Sequence, residues 1–178
     1  LNHKMELQIL ESLQKIHFNF LDNLMTFITN LGNGGIIWIA IIIILLFQKN
    51  NKFKREGFTI AIALIIFSII GLLILKPIIR RPRPFNFSNV DLLIGEPFGF
   101  SFPSGHTGSS FSAATVINFH NKKAGFFAIV LASLIAFSRM YHFVHYPTDV
   151  LAGILIGIFS GTMAIKFTKI LSQKIIKN

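Results

Sequence analysis

The sequence predicts an all-α protein, a polytopic bundle of helices embedded in a membrane. Of its 178 residues, 52% are hydrophobic and only 13% are charged, whereas about 25% of the residues in a soluble domain are charged. The apolar residues also fall into five long uncharged runs separated by short polar or basic segments. Together these observations favour a single membrane-embedded domain over residues 1–178.

The N-terminal segment, residues 5–31, is amphipathic rather than uniformly apolar. Leucine and isoleucine recur at helical spacing, and Asn19, Asp22 and Asn23 interrupt the apolar face near its middle. This pattern predicts an amphipathic helix, or two, lying at the membrane surface. If the segment inserts fully, it adds a sixth span to the bundle.

The five predicted spans cover residues 36–47, 57–75, 104–119, 124–138 and 150–165. A span needs about 20 apolar residues, with a lower limit of about 17. The second run is 19 uncharged residues long and meets that requirement by itself. In the last run, Gly153, Gly157 and Gly161 recur every fourth residue, which predicts a stripe for close helix packing.

The loops carry the information on orientation. The formal net charge is +10, and the basic segments 48–56, 120–123 and the C-terminal tail alternate to one side of the bundle. The positive-inside rule places that side and the C-terminus in the cytoplasm. Segments 76–103 and 139–149 then share the extracytoplasmic face. The aromatic residues are mostly phenylalanines inside apolar runs rather than among the basic residues. Together with the five apolar spans, this excludes a nucleic-acid partner.

Several groups suited to an anion converge on the predicted outer face. Lys76, Arg83 and Arg139 all lie at span ends, where a charge can reach water. The stretch Ser104-Gly105-His106 opens the third span, and the free backbone N–H groups of a helix start attract phosphate. Because Arg presents a planar fork to phosphate oxygens, the set predicts a phosphoryl pocket.

A histidine and a carboxylate complete this group. His145 and Asp149 are four residues apart, and Pro147 suits the first position of the last helix. Asp149 would then lie in the first helical turn and reach the His145 ring. A carboxylate that accepts from Nδ1–H leaves Nε2 free for nucleophilic attack. A second histidine, His106, can protonate the leaving oxygen and later activate water.

These residues resemble the three-part signature of the type 2 phosphatidic acid phosphatase (PAP2) superfamily of integral membrane lipid phosphatases. The signature reads Lys, six residues, Arg-Pro; then Pro-Ser-Gly-His; then Ser-Arg, five residues, His, three residues, Asp. Here its parts are Lys76 to Pro84, Pro103 to His106, and Ser138 to Asp149. All three match in order and without a gap over nearly half of the chain.

The resemblance implies a role for each matching residue. Lys76, Arg83 and Arg139 would bind phosphate, with help from Ser104 and the Gly105 N–H. His145 would be the nucleophile that forms a phosphohistidine, Asp149 would orient it, and His106 would be the acid. The family needs no metal or other cofactor. The chain has no cysteine, which excludes thiolate metal sites and disulfides.

The resemblance also indicates the substrate class, a membrane lipid with a phosphate or diphosphate headgroup. The compact form is similar to small bacterial phosphatases of undecaprenyl diphosphate or phosphatidylglycerophosphate. Arg80 and Arg81 add cations near the site, which would bind either a second phosphate or lipid headgroups. Because a diphosphate has more charge to bind, these cations favour conversion of undecaprenyl diphosphate to the monophosphate. The alternatives are a phosphatidylglycerophosphate or phosphatidic acid phosphatase, a lipid phosphotransferase, and a non-catalytic anion-binding membrane protein or transporter. The oligomeric state has no signature in the sequence.

Overall fold

The computed structural model describes residues 2–177, and within this range the regular structure is helical, without a β-strand. Three short segments have a different helical geometry. The wider π-helical segment Ser68–Leu75 and the tighter 3-10 turn Asn33–Gly35 each join two α-helices, and a second 3-10 turn covers Pro84–Phe87. The helices are α1 (His3–Gln14), α2 (Asn19–Leu31), α3 (Ile36–Leu46), α4 (Asn51–Phe67), α5 (Lys76–Ile79), α6 (Gly105–His120), α7 (Lys122–Tyr141) and α8 (Pro147–Lys177).

Helix α6 lies at the centre of the bundle and packs against α4, α7 and α8. Glycines on α8 allow the closest of these contacts. A Cβ atom on Gly157 would lie 2.6 Å from the carbonyl oxygen of Gly108, and one on Gly161 would lie 2.8 Å from that of Ser112. The predicted glycine stripe is therefore confirmed as the surface of α8 against which the α6 backbone packs.

Among residues 2–177, three stretches are long and apolar enough to cross a membrane: Asn51–Phe87, Lys122–Tyr141 and Pro147–Gln173. They contain the whole of the predicted spans 57–75, 124–138 and 150–165. Helices α2 and α3 are bent by 48° at the glycine-rich turn and make a fourth crossing if the pair is one span. The predicted span 104–119 forms α6, which has 16 residues, fewer than the about 20 of a full crossing.

The outer surface of the bundle is apolar. Large hydrophobic side chains point away from the core on α3, α4, α7 and α8. Such a surface is unfavourable in water over a large contiguous area and is expected where lipid covers the protein. The exposed side chains include Ile39, Ile43, Phe58, Ile65, Phe126, Phe127, Leu151, Leu155 and Phe159.

The amphipathic segment 5–31 forms two helices, α1 and α2, separated at residues 15–18. Helix α1 packs on the protein as well as presenting exposed residues. Leu10 is fully buried in a cluster with Phe143 and Tyr146, and Gln14 Nε2 donates to the Tyr141 carbonyl at 3.1 Å. Helix α1 is thereby fixed against the turn that follows α7.

Candidate active site

The predicted site residues come together at one end of the bundle, where four helices begin or end. Lys76 opens α5, Ser104 caps the start of α6, Arg139 lies in the last turn of α7, and Asp149 lies in the first turn of α8. The Ser104 N–H donates to the Asp149 carbonyl at 3.1 Å. This bond joins the starts of α6 and α8 directly.

His145 lies in the turn between α7 and α8, with Asp149 beside it. The His145 Nδ1 is 3.5 Å from Asp149 Oδ2, which is at the limit of a hydrogen bond. Asp149 is fully buried, and its Oδ2 also accepts from the Tyr146 N–H at 2.9 Å. As the sequence predicted, Pro147 starts α8 and puts Asp149 within one turn of His145.

The turn that holds His145 contains one strained residue. Phe143 has a φ of 58°, in the left-handed region that non-glycine residues rarely adopt. Its side chain is fully buried with Leu10 and Tyr146. Burial of this side chain offsets the backbone strain, which is of order 1–3 kcal/mol, and keeps the turn in one conformation.

Arg83 is buried next to the Nε2 side of the His145 ring. Its Nη1 lies 3.4 Å from His145 Nε2 and 2.9 Å from the Val144 carbonyl oxygen. Its Nε donates to the Gly99 carbonyl at 2.9 Å. These backbone acceptors fix the guanidinium plane next to the nitrogen that would attack phosphorus.

Two further cations border the site. Lys76 donates from Nζ to the Phe100 carbonyl at 2.9 Å. Arg139 is 2% exposed, and its Nη1 donates to Thr29 Oγ1 on α2 at 2.5 Å. Among the described residues, no hydrogen-bond acceptor faces the buried Arg139 Nε. An arginine held in this way retains a donor for a phosphate oxygen.

The start of α6 has the predicted cap. Ser104 is buried, and its Oγ accepts from the Thr107 hydroxyl at 2.9 Å and from the Thr107 N–H at 3.4 Å. The hydroxyl proton of Ser104 remains available as a donor. Gly105 is half-buried, and a Cβ there would lie 3.3 Å from Leu72, so the residue is small where α6 meets the end of the π-helical segment.

His106 contacts the glycine-rich turn between α2 and α3. Its Nε2 lies 2.8 Å from Asn33 Oδ1. A Cβ on Gly32 would lie 2.6 Å from the His106 ring, so only glycine allows this approach. Gly34 and Gly35 have φ values of 58° and 73°, which glycine adopts without strain.

The charged groups of the site lie close enough to influence one another's protonation. Arg139, Arg83 and Lys76 all lie near enough to His106 to act on its charge, and so does His145. For His145 itself, burial lowers the pKa to about 3, and the neighbouring arginines act in the same direction. The His145 imidazole is therefore neutral at physiological pH, as a nucleophile requires.

Sequence reasoning missed three residues that support the site: Glu6, Thr29 and Asn33. They lie far from the signature in the chain, and only tertiary packing brings them to it. The one sequence signal was Asn33, a polar residue among glycines in a turn. The amphipathic character of α1 gave no sign that Glu6 is buried.

Arg81 departs from the expectation that it meets phosphate or lipid. Its Nη1 donates to Asp149 Oδ1 and Thr148 Oγ1, each at 2.7 Å, and its Nη2 pairs with Glu6. Because two carboxylates already satisfy this guanidinium, Arg81 adds no free cation to the pocket. Arg80 is exposed, with Nε bonded to the Pro77 carbonyl.

An apolar groove of about 460 Å³ opens beside His106. It runs between the glycine-rich turn, α3 and α4, and its walls include Ile39, Leu64 and Leu72. The residues that the structure describes contain no cluster of three or more His, Asp and Glu with the spacing of a metal site. The polar end of the groove is the start of α6.

Fold and site together define a class: an all-helical membrane protein that gathers cations around a buried histidine–carboxylate pair. Comparison with known proteins agrees with this class. The model of the PAP2 superfamily matches residues 56–172. The chain therefore belongs to the PAP2 superfamily, and the resemblance seen in the sequence is confirmed.

Relatives extend this assignment. An undecaprenyl-diphosphatase of Sulfolobus acidocaldarius is 34% identical over 139 residues, which are 77% of this chain and 66% of the relative. The undecaprenyl-diphosphatase BcrC of Bacillus subtilis is 31% identical over 160 residues, 87% of this chain and 79% of the relative. Both are named as diphosphatases, and other relatives are named as a lipid A phosphatase and a phosphatidylglycerophosphatase. The prediction of a hydrolase that acts on lipid phosphates is therefore confirmed.

Solved structures show the same fold. The crystal structure of Aquifex aeolicus LpxE has a TM-score of 0.77 and 29% identity, covering 90% of this chain and 94% of that one. The PAP2 type phosphatidylglycerolphosphate phosphatase from Bacillus subtilis has a TM-score of 0.76 and 26% identity, covering 93% and 85%. The all-helical membrane phosphatase fold is thus shared over nearly the whole chain.

Proposed function

We propose that this protein hydrolyses a lipid phosphate or diphosphate without a metal ion, through a phosphohistidine on His145. The observation that carries the proposal is the position of His145 between Asp149 on its Nδ1 side and Arg83 on its Nε2 side. A carboxylate on one nitrogen and a cation beside the other suit attack on an anionic phosphoryl group.

In the first step, His145 Nε2 attacks phosphorus and forms a P–N bond while the bond to the leaving oxygen breaks. His106 gives its proton to that oxygen, and Lys76, Arg83 and Arg139 stabilise the charge on the other phosphoryl oxygens. In the second step, His106 takes a proton from water. The hydroxide attacks phosphorus, the P–N bond breaks, and inorganic phosphate leaves with His145 neutral again.

For the substrate, we favour undecaprenyl diphosphate, which would lose its terminal phosphate and leave as the monophosphate. The support is the naming of the relatives, together with the apolar groove beside His106, which suits a lipid tail. Arg81 no longer supports a second phosphate, since Glu6 and Asp149 bind it. Phosphatidylglycerophosphate is the second candidate because a structural neighbour is named for it.

We further propose that the five predicted spans all cross the cell membrane, with the site on the extracytoplasmic face and the C-terminus in the cytoplasm. The loop lysines at the end opposite the site support this orientation. The chain has no cysteine, so single cysteines report on topology directly. An impermeant maleimide applied to intact cells should label Asn89→Cys but not Asn51→Cys. The reverse labelling pattern would show that the protein has the opposite orientation.

The catalytic proposal is tested by phosphate release from undecaprenyl diphosphate, phosphatidylglycerophosphate and phosphatidic acid. Detergent-purified protein is compared with His145→Ala and with a control, His120→Ala, whose histidine lies at the far end of α6. With EDTA present throughout, wild type and His120→Ala should release phosphate and His145→Ala should not.

The ranking within the panel identifies the substrate. Faster release from phosphatidylglycerophosphate than from undecaprenyl diphosphate would make the favoured substrate wrong but leave the mechanism standing. Release that survives in His145→Ala would overturn the phosphohistidine route. Release that depends on an added lipid acceptor would indicate a phosphotransferase.

A further inference from the structure

We propose that Glu6, on the amphipathic helix α1, is a positioning residue for the catalytic histidine. It would act through Arg81 on Asp149, and through Asp149 on His145. The inference rests on the proposed function, in which Asp149 orients His145 for attack. It gives α1 a positioning role at the site, although this helix lies outside the signature and outside residues 56–172 of the family match.

The first link is the guanidinium of Arg81, which lies between two carboxylates. Its Nη1 donates to Asp149 Oδ1 at 2.7 Å, and its Nη2 pairs with Glu6 Oε2. The Arg81 guanidinium carbon also lies 3.8 Å from the centre of the Tyr146 ring. Three contacts on different sides leave the guanidinium one orientation, which in turn fixes Oδ1 of Asp149.

The second link joins Glu6 to the backbone beside Asp149. Glu6 Oε1 accepts from the Thr148 N–H at 3.1 Å and from the Thr148 hydroxyl at 2.5 Å. Both oxygens of this carboxylate are therefore used, one toward Arg81 and one toward the first turn of α8. Thr148 immediately precedes Asp149, so Glu6 restrains that carboxylate through the chain as well as through Arg81.

Burial makes these contacts strong. Glu6 is 2% exposed and Asp149 is fully buried, and a buried carboxylate is costly unless it is paired and hydrogen-bonded. An amphipathic surface helix has no packing reason to bury a glutamate, whereas Leu10 on the same helix fills the adjacent apolar cluster. The network accounts for the buried carboxylate.

Charge provides the third argument. Arg81 alone would neutralise Asp149 and weaken its support for the positive charge that develops on His145 during attack. Glu6 shares the arginine charge, so the three groups together keep one negative charge beside the imidazole. Loss of Glu6 should slow the chemical step, while Lys76, Arg83 and Arg139 continue to bind the substrate phosphate.

The test compares Glu6→Gln with Glu11→Gln in the 178-residue protein. Glu11 is exposed on the same helix, so its variant has the same change of charge without loss of the network. With the best lipid of the panel as substrate, Glu6→Gln should lower kcat by about 10- to 100-fold, by analogy with the carboxylates that orient metal-binding histidines, whose loss has an effect of that size. Its KM should stay within about twofold of wild type, because uniform binding is untouched.

Two further variants separate positioning from general stability. In Arg81→Gln the link through the arginine is already broken and only the bonds from Glu6 to Thr148 remain, so adding Glu6→Gln should lower kcat by a smaller factor than it does in the wild-type protein, a non-additive result. Glu6→Asp keeps the charge with a shorter reach and should have a kcat between those of Glu6→Gln and wild type. If Glu6→Gln does not fold, Glu6→Asp serves alone, with a lowered kcat and an unchanged KM expected.

The inference is overturned if Glu6→Gln has the kcat of Glu11→Gln, if the Glu6→Gln and Arg81→Gln losses multiply fully, or if Glu6→Asp alone retains the wild-type kcat. These outcomes are distinct from failure of the proposed function. An inactive His145→Ala together with an unaffected Glu6→Gln removes only the role of Glu6, whereas an active His145→Ala removes the mechanism on which that role rests.

Discussion

Arg83 selects one tautomer of the His145 imidazole: Arg83 Nη1 lies 3.4 Å from His145 Nε2. A guanidinium can only donate, so Nε2 must face it with a lone pair. The ring proton then sits on Nδ1, 3.5 Å from the Asp149 carboxylate. Both neighbours favour the form in which Nε2 can attack phosphorus.

This arrangement predicts the titration of His145. Burial lowers its pKa to about 3, and a lowered pKa means that the imidazole stays neutral as pH falls from 8 to 5 and binds a proton only below that range. With ¹⁵N-histidine labelling, the resonances lost in His145→Ala should show a neutral Nδ1–H ring throughout this range. Protonation of those resonances with a midpoint near the ordinary histidine value, about 6.5, would contradict the prediction.

Arg83 should not tolerate lysine. Its Nη1 reaches both Val144 and His145, while its Nε binds the Gly99 carbonyl, and a lysine has one donor group for all of these positions. We expect Arg83→Lys to lose about 10²-fold or more in kcat/KM, equivalent to about 3 kcal/mol of transition-state stabilisation. Arg80→Lys is the matched control, since Arg80 is exposed in the same loop and should retain activity. Equal activities of the two variants would show that Arg83 contributes only its charge.

The parts of this molecule that were predictable from sequence are those encoded locally. The charge-free runs, the α8 start at Pro147 and the glycine stripe on α8 each depend on residues within one element. Their outcome follows from hydrophobicity, proline geometry and the space around a missing Cβ. The signature also placed Lys76, Arg139 and Asp149 at helix ends, where the structure has them.

The parts that escaped prediction depend on contacts between distant segments. Arg81 in sequence is one more cation in a basic loop, and only its pairing with Glu6, 75 residues away, shows that it is already satisfied. Asn33 is likewise separated by 73 residues from His106.

Asn33 should affect the chemistry of His106. Its Oδ1 lies 2.8 Å from His106 Nε2, so it orients the ring that is proposed to protonate the leaving group. Asn33→Ala removes this partner, and we expect kcat to fall about tenfold, in keeping with a lost hydrogen bond of about 1–1.5 kcal/mol. Asn23→Ala is the control, because Asn23 is exposed on α2. A wild-type kcat for Asn33→Ala would separate Asn33 from catalysis.

The α6–α8 contact should limit stability. A Cβ on Gly157 would lie 2.6 Å from the Gly108 carbonyl oxygen and 2.9 Å from Phe111 Cβ, so Gly157→Ala must push two helix backbones apart. Overpacking of this kind costs about 1–3 kcal/mol, which outweighs the gain in helix propensity of about 1 kcal/mol. We expect the thermal midpoint in detergent to fall by several degrees.

Gly95→Ala is the matched control, since nothing lies within 4 Å of its Cβ position and its midpoint should stay at the wild-type value. Because α8 carries Asp149 and α6 begins at Ser104, Gly157→Ala should also lower activity. If Gly157→Ala were as stable and as active as Gly95→Ala, the two helices could separate without disturbing the site.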